Sequence, residues 1–241
     1  MPVVAIVEGT GSVGRFIIEE IVADGKFEVI VLSFKANPTL EKDLGTRILP
    51  IGYSDLNTIT TLLEENHVDI VIAALGGRIP PEQEHGLIQA AAKSKATKRY
   101  TPASGVSSGV RSILGSSMPA KLSLFDALEK TDFELTAVTN GFFLDYRCAP
   151  NLKTCLEPLT IVLDVPGRKA AIPGNPDQPA VFTYTKDVAK FRAKLLTLER
   201  REPVSHIIGD RLTWKEFAQL TEEVTGKNLP PTPITFSGYT S

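Results

Sequence analysis

Gly9, Gly11 and Gly14 stand at the spacing Gly-x-Gly-x-x-Gly, within Gly9-Thr10-Gly11-Ser12-Val13-Gly14. An apolar run from Pro2 to Val7 precedes them, and Val13, Phe16, Ile17 and Ile21 then recur at helical spacing. A strand, a glycine turn and a helix in that order can bind phosphate with main chain alone. Residues without a Cβ let the backbone bend and let an anion approach closely. The unpaired N–H groups and positive dipole end of the following helix stabilise its charge. The chemistry implied is the cradling of a dinucleotide pyrophosphate by Gly9, Thr10, Gly11, Ser12, Val13 and Gly14. The plainer alternative is an ordinary glycine-rich turn.

A dinucleotide fold meets the adenosine ribose about twenty positions beyond its glycines, where an acid accepts from the free 2′-hydroxyl. Here the sequence reads Ser33-Phe34-Lys35, with no carboxylate in those positions to repel a 2′-phosphate. Lys35 can attract one and Arg15 is a second phosphate partner, which leans to NADP, with NAD possible. Lys35 reads equally well as a solvated loop lysine, and Phe34 can instead stack on adenine.

Three further groups carry chemical potential. Val68 to Leu75 is an apolar run that ends in Gly76-Gly77-Arg78, at the sheet edge where open α/β folds place their ligands. Leu75, Gly76 and Gly77 are accordingly a second cofactor contact. Lys121 heads the stripe Leu124, Phe125, Leu128 in a helix opened by Pro119. A lysine near a helix N-terminus in a partly desolvated cleft becomes a better proton donor near neutral pH, because both surroundings disfavour the charged ammonium. The alternative is a lysine that reaches back to water. Asn140, Phe142, Phe143 and Tyr146 can line a substrate pocket, against the commoner use of aromatics as core.

The elements that must position these residues follow from periodicity. Asp24-Gly25 ends the first helix, and Phe27 to Leu32, Arg47 to Ile51 and Lys98 to Thr101 read as further strands. Ser54-Asp55 caps one helix, with Leu56, Ile59, Leu62 and Leu63 on one face, and Pro80-Pro81 opens another. Phe133 to Val138 reads as another strand, and the serine- and glycine-rich stretch from Val106 to Ser117 as a loop over the site. Uninterrupted apolar strands predict burial on both faces. The fold class is therefore α/β, a doubly wound parallel sheet of the Rossmann type, over residues 1–148. From Ala149, recurring prolines and glycines predict a small, irregular C-terminal substrate lobe over 149–229, interleaved with the core. In it Thr213-Trp214-Lys215-Glu216 is a capping box for a helix with Phe217, Leu220 and Val224 inward. Residues 230–241, rich in proline, are expected to form no element and to be disordered.

Composition removes other classes. The chain has 241 residues, 42% of them hydrophobic, and a formal net charge of −2 without a basic stripe, so neither nucleic acid nor a membrane surface is implied. No apolar run approaches the length of a spanning helix, and nothing resembles a signal peptide. Cys148 and Cys155 are the only cysteines, and neither clusters with His67, His85 or His206, so no metal is expected. Two free thiols and a cytoplasmic location are expected.

The order of these pieces resembles the NmrA-like family, the atypical short-chain dehydrogenases that include the isoflavone-reductase-like enzymes. The likeness runs from the first strand to the Thr213 helix. The family's glycine motif is written GxxGxxG, and Glu8 to Gly14 aligns on it with Glu8 in the place of the first glycine. An arginine commonly follows the second strand to hold the NADP 2′-phosphate, and Phe34 occupies that place. Tyr53-Ser54-Asp55, Lys98 to Pro102, Asn140 to Tyr146, Ile172-Pro173-Gly174 and Thr185 to Val188 also look like family segments. Lys121 falls where the isoflavone-reductase-like enzymes carry a lysine implicated in proton transfer, whereas the Tyr-x-x-x-Lys pair of ordinary short-chain dehydrogenases is absent. Family members usually continue into more helices, so a shortened lobe with an open site is expected. The resemblance implies an NAD(P)H-dependent oxidoreductase that reduces a small, partly apolar carbonyl or enone metabolite. The alternative it implies is a non-catalytic NAD(P)-binding sensor that acts through a regulatory protein partner.

Overall fold

The computed structural model describes residues 1–76, 79–102, 119–148, 152–157, 159–160 and 162–234. The chain divides into two compact units, residues 1–139 with 186–207 and residues 140–185 with 208–241.

In the first unit β1 (Val3–Val7), β2 (Glu28–Ser33), β3 (Arg47–Pro50), β4 (Val68–Ala73), β5 (Arg99–Thr101) and β6 (Glu134–Leu135) form one sheet in the order β3-β2-β1-β4-β5-β6. Every pairing in it is parallel. The order reverses between β1 and β4, and such a switch point leaves a crevice at the carboxyl ends of the strands. All five residues of β1 are buried, as a strand covered on both faces requires. Val3, Ala5 and Val7 join Ile59, Leu63, Leu87, Ala91, Leu124 and Leu128 in one core. Those side chains come from α3 (Leu56–Glu65), α4 (Pro81–Lys93) and α5 (Pro119–Leu128). Val4 and Ile6 point the other way, toward the face of α1 (Ser12–Asp24), whose Phe16, Ile17, Ile18 and Ile21 are buried. The doubly wound parallel sheet is thus the fold.

Local signals explain most boundaries. Gly25 takes the left-handed conformation that ends α1, and Asp55 accepts the Thr58 N–H at 3.0 Å to start α3. The sequence reading missed α2 (Pro38–Leu44), although Asn37 caps it and Pro38 stands at its start. The run from Phe133 to Val138 is not one strand. Glu134–Leu135 stays on the sheet edge, while Ala137–Thr139 pairs in parallel with Val204–His206.

Among the described residues the second unit has two three-stranded sheets. Lys169–Pro173 lies between Leu163–Asp164 and Pro231–Ile234, and Pro179–Thr183 lies between Phe142–Phe143 and Asp210–Thr213. The strand Pro231–Ile234 corrects the expectation that 230–241 forms no element. It is an edge strand, and the alternation of Pro231 and Pro233 puts both missing donors on one side, which an edge tolerates. Residues 235–241 lie outside the described residues. The chain passes from the first unit to the second at 139/140, and Lys186–Ile207 belongs to the first unit.

The capping box forms as read: Thr213 Oγ1 accepts from Glu216 N–H at 3.1 Å, and a Glu216 carboxylate oxygen accepts from Thr213 N–H at 2.7 Å. In the helix Trp214–Thr225 the buried residues are Trp214, Phe217 and Ala218, whereas Leu220 and Val224 are exposed, contrary to their expected inward placement.

Candidate functional site

The glycine turn leaves β1 at the switch point and feeds α1. Its sharpest residue is not a glycine. Glu8 has φ +54°, while Gly9, Gly11 and Gly14 all keep negative or extended backbone. Glu8 donates its N–H to Leu32 O at 2.7 Å, continuing the ladder by one residue, and its own carbonyl accepts from Gly11 N–H at 3.1 Å to close the turn.

The three glycines serve different ends. A Cβ on Gly14 would lie 2.6 Å from Gly9 Cα, and one on Gly9 would lie 2.7 Å from Ile18 Cδ1. These two let α1 pack onto β1. Gly11 is exposed, and a Cβ there would meet only Glu8 O at 3.4 Å. It is the position over which a ligand can approach. Gly11 is also the N-cap of α1, with no side chain capping the helix and no acid in its first turn. The first N–H groups, around Ser12 and Val13, are therefore open to an anion along the helix dipole. A pyrophosphate fits this cradle.

The turn is tied to the end of β2, where Thr10 Oγ1 lies 3.4 Å from the buried Ser33 Oγ. One arrangement here was not legible in sequence. Glu8 Oε1 accepts from the Phe34 main-chain N–H at 3.2 Å and from the Tyr53 hydroxyl at 2.9 Å. The carboxylate that the sequence lacks after β2 arrives instead from the end of β1. Tyr53 is buried and its ring lies 4.7 Å from that of Phe34, which is half exposed. Burial, then the Glu8 charge and the hydrogen bond to it, push the Tyr53 phenol well above its ordinary range, so it remains a donor. The Glu84 charge adds to this in the same direction. Lys35 is exposed and forms no ion pair among the described residues, and Arg15 is drawn along its own helix to Glu19, at 3.4 Å.

At the end of β4, Leu75 packs partly against the core and Gly76 is exposed, its carbonyl accepting from Ile79 N–H at 2.9 Å. Gly77 lies outside the described residues, as does the stretch from Val106 to Ser117. Lys121 is in α5, on the helix whose Leu124 and Leu128 are buried, but its side chain lies outside the described residues.

The remaining candidates belong to the second unit. Asn140 donates to Gly141 O at 3.2 Å. Phe142 sits against Trp214 (centroids 4.8 Å) and Phe182 (6.1 Å), in a nest closed by Phe217 stacked on Phe182 at 4.2 Å. Phe143 makes a separate edge contact with Tyr146 at 6.1 Å. These aromatics thus form two groups, and Phe142 keeps 42% of its surface exposed. Among the described residues no cluster of His, Cys, Asp or Glu could hold a metal, and no helix is long and apolar enough to cross a membrane.

A parallel sheet in this order with an open glycine turn at its switch point defines a dinucleotide-binding α/β protein. Residues 2–240 match the NmrA-like family, and the chain belongs to that family. It is 32% identical over 231 residues to Oxidoreductase BOA1 of Botryotinia fuckeliana, covering 94% of this chain and 77% of the relative. Pinoresinol reductase 1 of Arabidopsis thaliana is 26% identical over 257 residues, covering 96% and 77%. Among solved structures, AtPrR2 with NADP+ and (+)pinoresinol superposes with a TM-score of 0.74 at 24% identity, over 98% of this chain and 79% of that one. The NADPH-dependent quinone oxidoreductase QOR2 complexed with NADPH, from Escherichia coli, does so with a TM-score of 0.75 at 17% identity, over 96% and 78%.

Proposed function

We propose that this chain is an NAD(P)H-dependent oxidoreductase that reduces a carbonyl or enone carbon of a small, partly apolar organic molecule. The observation that carries the reading is the uncapped N-terminus of α1 with Gly11 open above it, at the point where the strand order reverses. Relatives named as oxidoreductases and reductases, with solved relatives that hold NADP+ or NADPH, support the same assignment.

The main chain from Gly9 to Gly14 would hold the pyrophosphate, and Leu75, Gly76 and Gly77 would border the nicotinamide side. The bound cofactor supplies the hydride. Lys121 gives a proton to the substrate oxygen as that hydride reaches carbon, so no alkoxide or enolate has to build up unneutralised. Within the second unit, Asn140, Phe142, Phe143 and Tyr146 are candidates for contact with an apolar molecule. A cytoplasmic setting fits a chain with only two cysteines.

Turnover is followed as loss of reduced-nicotinamide absorbance with a panel of aromatic enones, ketones and quinones. Lys121→Ala should lower kcat by about a hundredfold or more, with coenzyme affinity within about twofold of the parent. An unchanged kcat would remove Lys121 from the chemistry. A second reading, a dinucleotide sensor acting through a protein partner, is favoured by Glu8 and Phe34, which stand where the family has glycine and arginine. Tight coenzyme binding without turnover of any substrate in the panel would select it.

A further inference from the structure

We infer that the Glu8 carboxylate makes the adenosine end of this site select an unphosphorylated ribose, so that NAD(H) binds ahead of NADP(H). The inference rests on the proposed dinucleotide site and departs from the solved relatives that carry NADP+ or NADPH.

Three features of the end of β2 carry it. Position is the first. In dinucleotide folds an acid at the end of this strand accepts from the 2′-hydroxyl, and an arginine there accommodates a 2′-phosphate. Glu8 Oε1 is bonded to the main-chain N–H of Phe34, the residue that follows β2, so the carboxylate occupies that corner although it is carried by β1. Orientation is the second. Phe34 N–H and the Tyr53 hydroxyl both donate to Oε1, while Oε2 accepts from no described residue and is available to a ribose hydroxyl. The third is charge. Phe34 has no cation to offer, and among the described residues neither Lys35 nor Arg15 forms an ion pair with Glu8, Arg15 being drawn to Glu19. A dianionic 2′-phosphate would be repelled by a carboxylate that no described cation neutralises, with only the exposed Lys35 beside it, whereas a hydroxyl would gain an acceptor.

The left-handed backbone of Glu8 points the same way. A non-glycine residue at φ +54° is a strained choice where glycine is free, and two hydrogen bonds hold this one in place.

The test is equilibrium titration of the full chain with NADH and NADPH by nicotinamide fluorescence, repeated by calorimetry with ADP-ribose and its 2′-phosphate. The parent, Glu8→Gln and the double variant Glu8→Gln, Phe34→Arg are compared, with thermal melts to establish that each is folded. Glutamine keeps both hydrogen bonds to its oxygen and removes the charge. We expect the parent to bind NADH about tenfold or more tighter than NADPH. Glu8→Gln should bring the two within about threefold, and the double variant should invert the order. Tighter binding of NADPH by the parent, or an unchanged ratio in folded Glu8→Gln, would overturn the inference and leave the oxidoreductase reading standing. A folded parent that binds neither coenzyme would overturn both.

Discussion

The two units of this chain reach order by different means. In the first, chain order and the parallel ladder place one glycine turn at a switch point, and the decisive contacts are main chain on main chain, as where Gly14 meets Gly9. In the second, short strands are gathered around side chains, with Phe182, Trp214 and Phe217 as the centre of its core. The difference teaches where each unit tolerates change. A backbone-built region fails when a Cβ is added, and a side-chain-built region fails when a side chain is taken away.

The sharpest way to break the first unit is Gly14→Val. Its Cβ would stand 2.6–2.9 Å from the backbone of Gly9, which has no side chain to move aside. We expect a loss of roughly 3 kcal/mol or more, read as a lowered denaturation midpoint. A variant as stable as the parent would mean that α1 does not rest on β1 as described.

A smaller effect is expected in the second unit from Thr213→Ala, which removes the hydroxyl end of the capping box. The loss should be about 1 kcal/mol. Its pH dependence is specific. The hydrogen bonds from Thr213 hold the Glu216 carboxyl below its ordinary range. A carboxyl lowered in the folded state contributes stability that is present above the unfolded value and is lost as pH falls through the folded one. The parent's advantage over Thr213→Ala should therefore hold at neutral pH and shrink once the solution is acidic enough to protonate Glu216. An advantage that grows on acidification would contradict the cap.

What was legible in the sequence follows the same division. The turn, α1, Asp55 and the Thr213 box could be read because each depends on residue types a few positions apart. Glu8, Phe34 and Tyr53 could not be joined, since they come together only when β1, β2 and the segment after β3 lie side by side. The one signal was Glu8 standing where the family writes glycine. Prolines at 231 and 233 suggested a tail without structure because proline lacks a donor, yet an edge strand needs donors on one side only. Leu220 and Val224 were placed inward by helical period alone, but the buried face of their helix is limited to Trp214, Phe217 and Ala218. Phe142, Phe143 and Tyr146 were recognised as a cluster, and the fold separates Phe142 from the other two.

The most direct test of the dinucleotide site is coenzyme affinity in Gly11→Val, measured by titration with NADH and NADPH beside a thermal melt. Gly11 is exposed with φ −76° and ψ 179°, a conformation that valine adopts freely, so the fold should melt within a few degrees of the parent. The added side chain would stand where a pyrophosphate approaches the first turn of α1. The prediction is a loss of about a hundredfold or more in affinity for either coenzyme with the melt nearly unchanged. A folded Gly11→Val that binds either one as tightly as the parent would contradict the site.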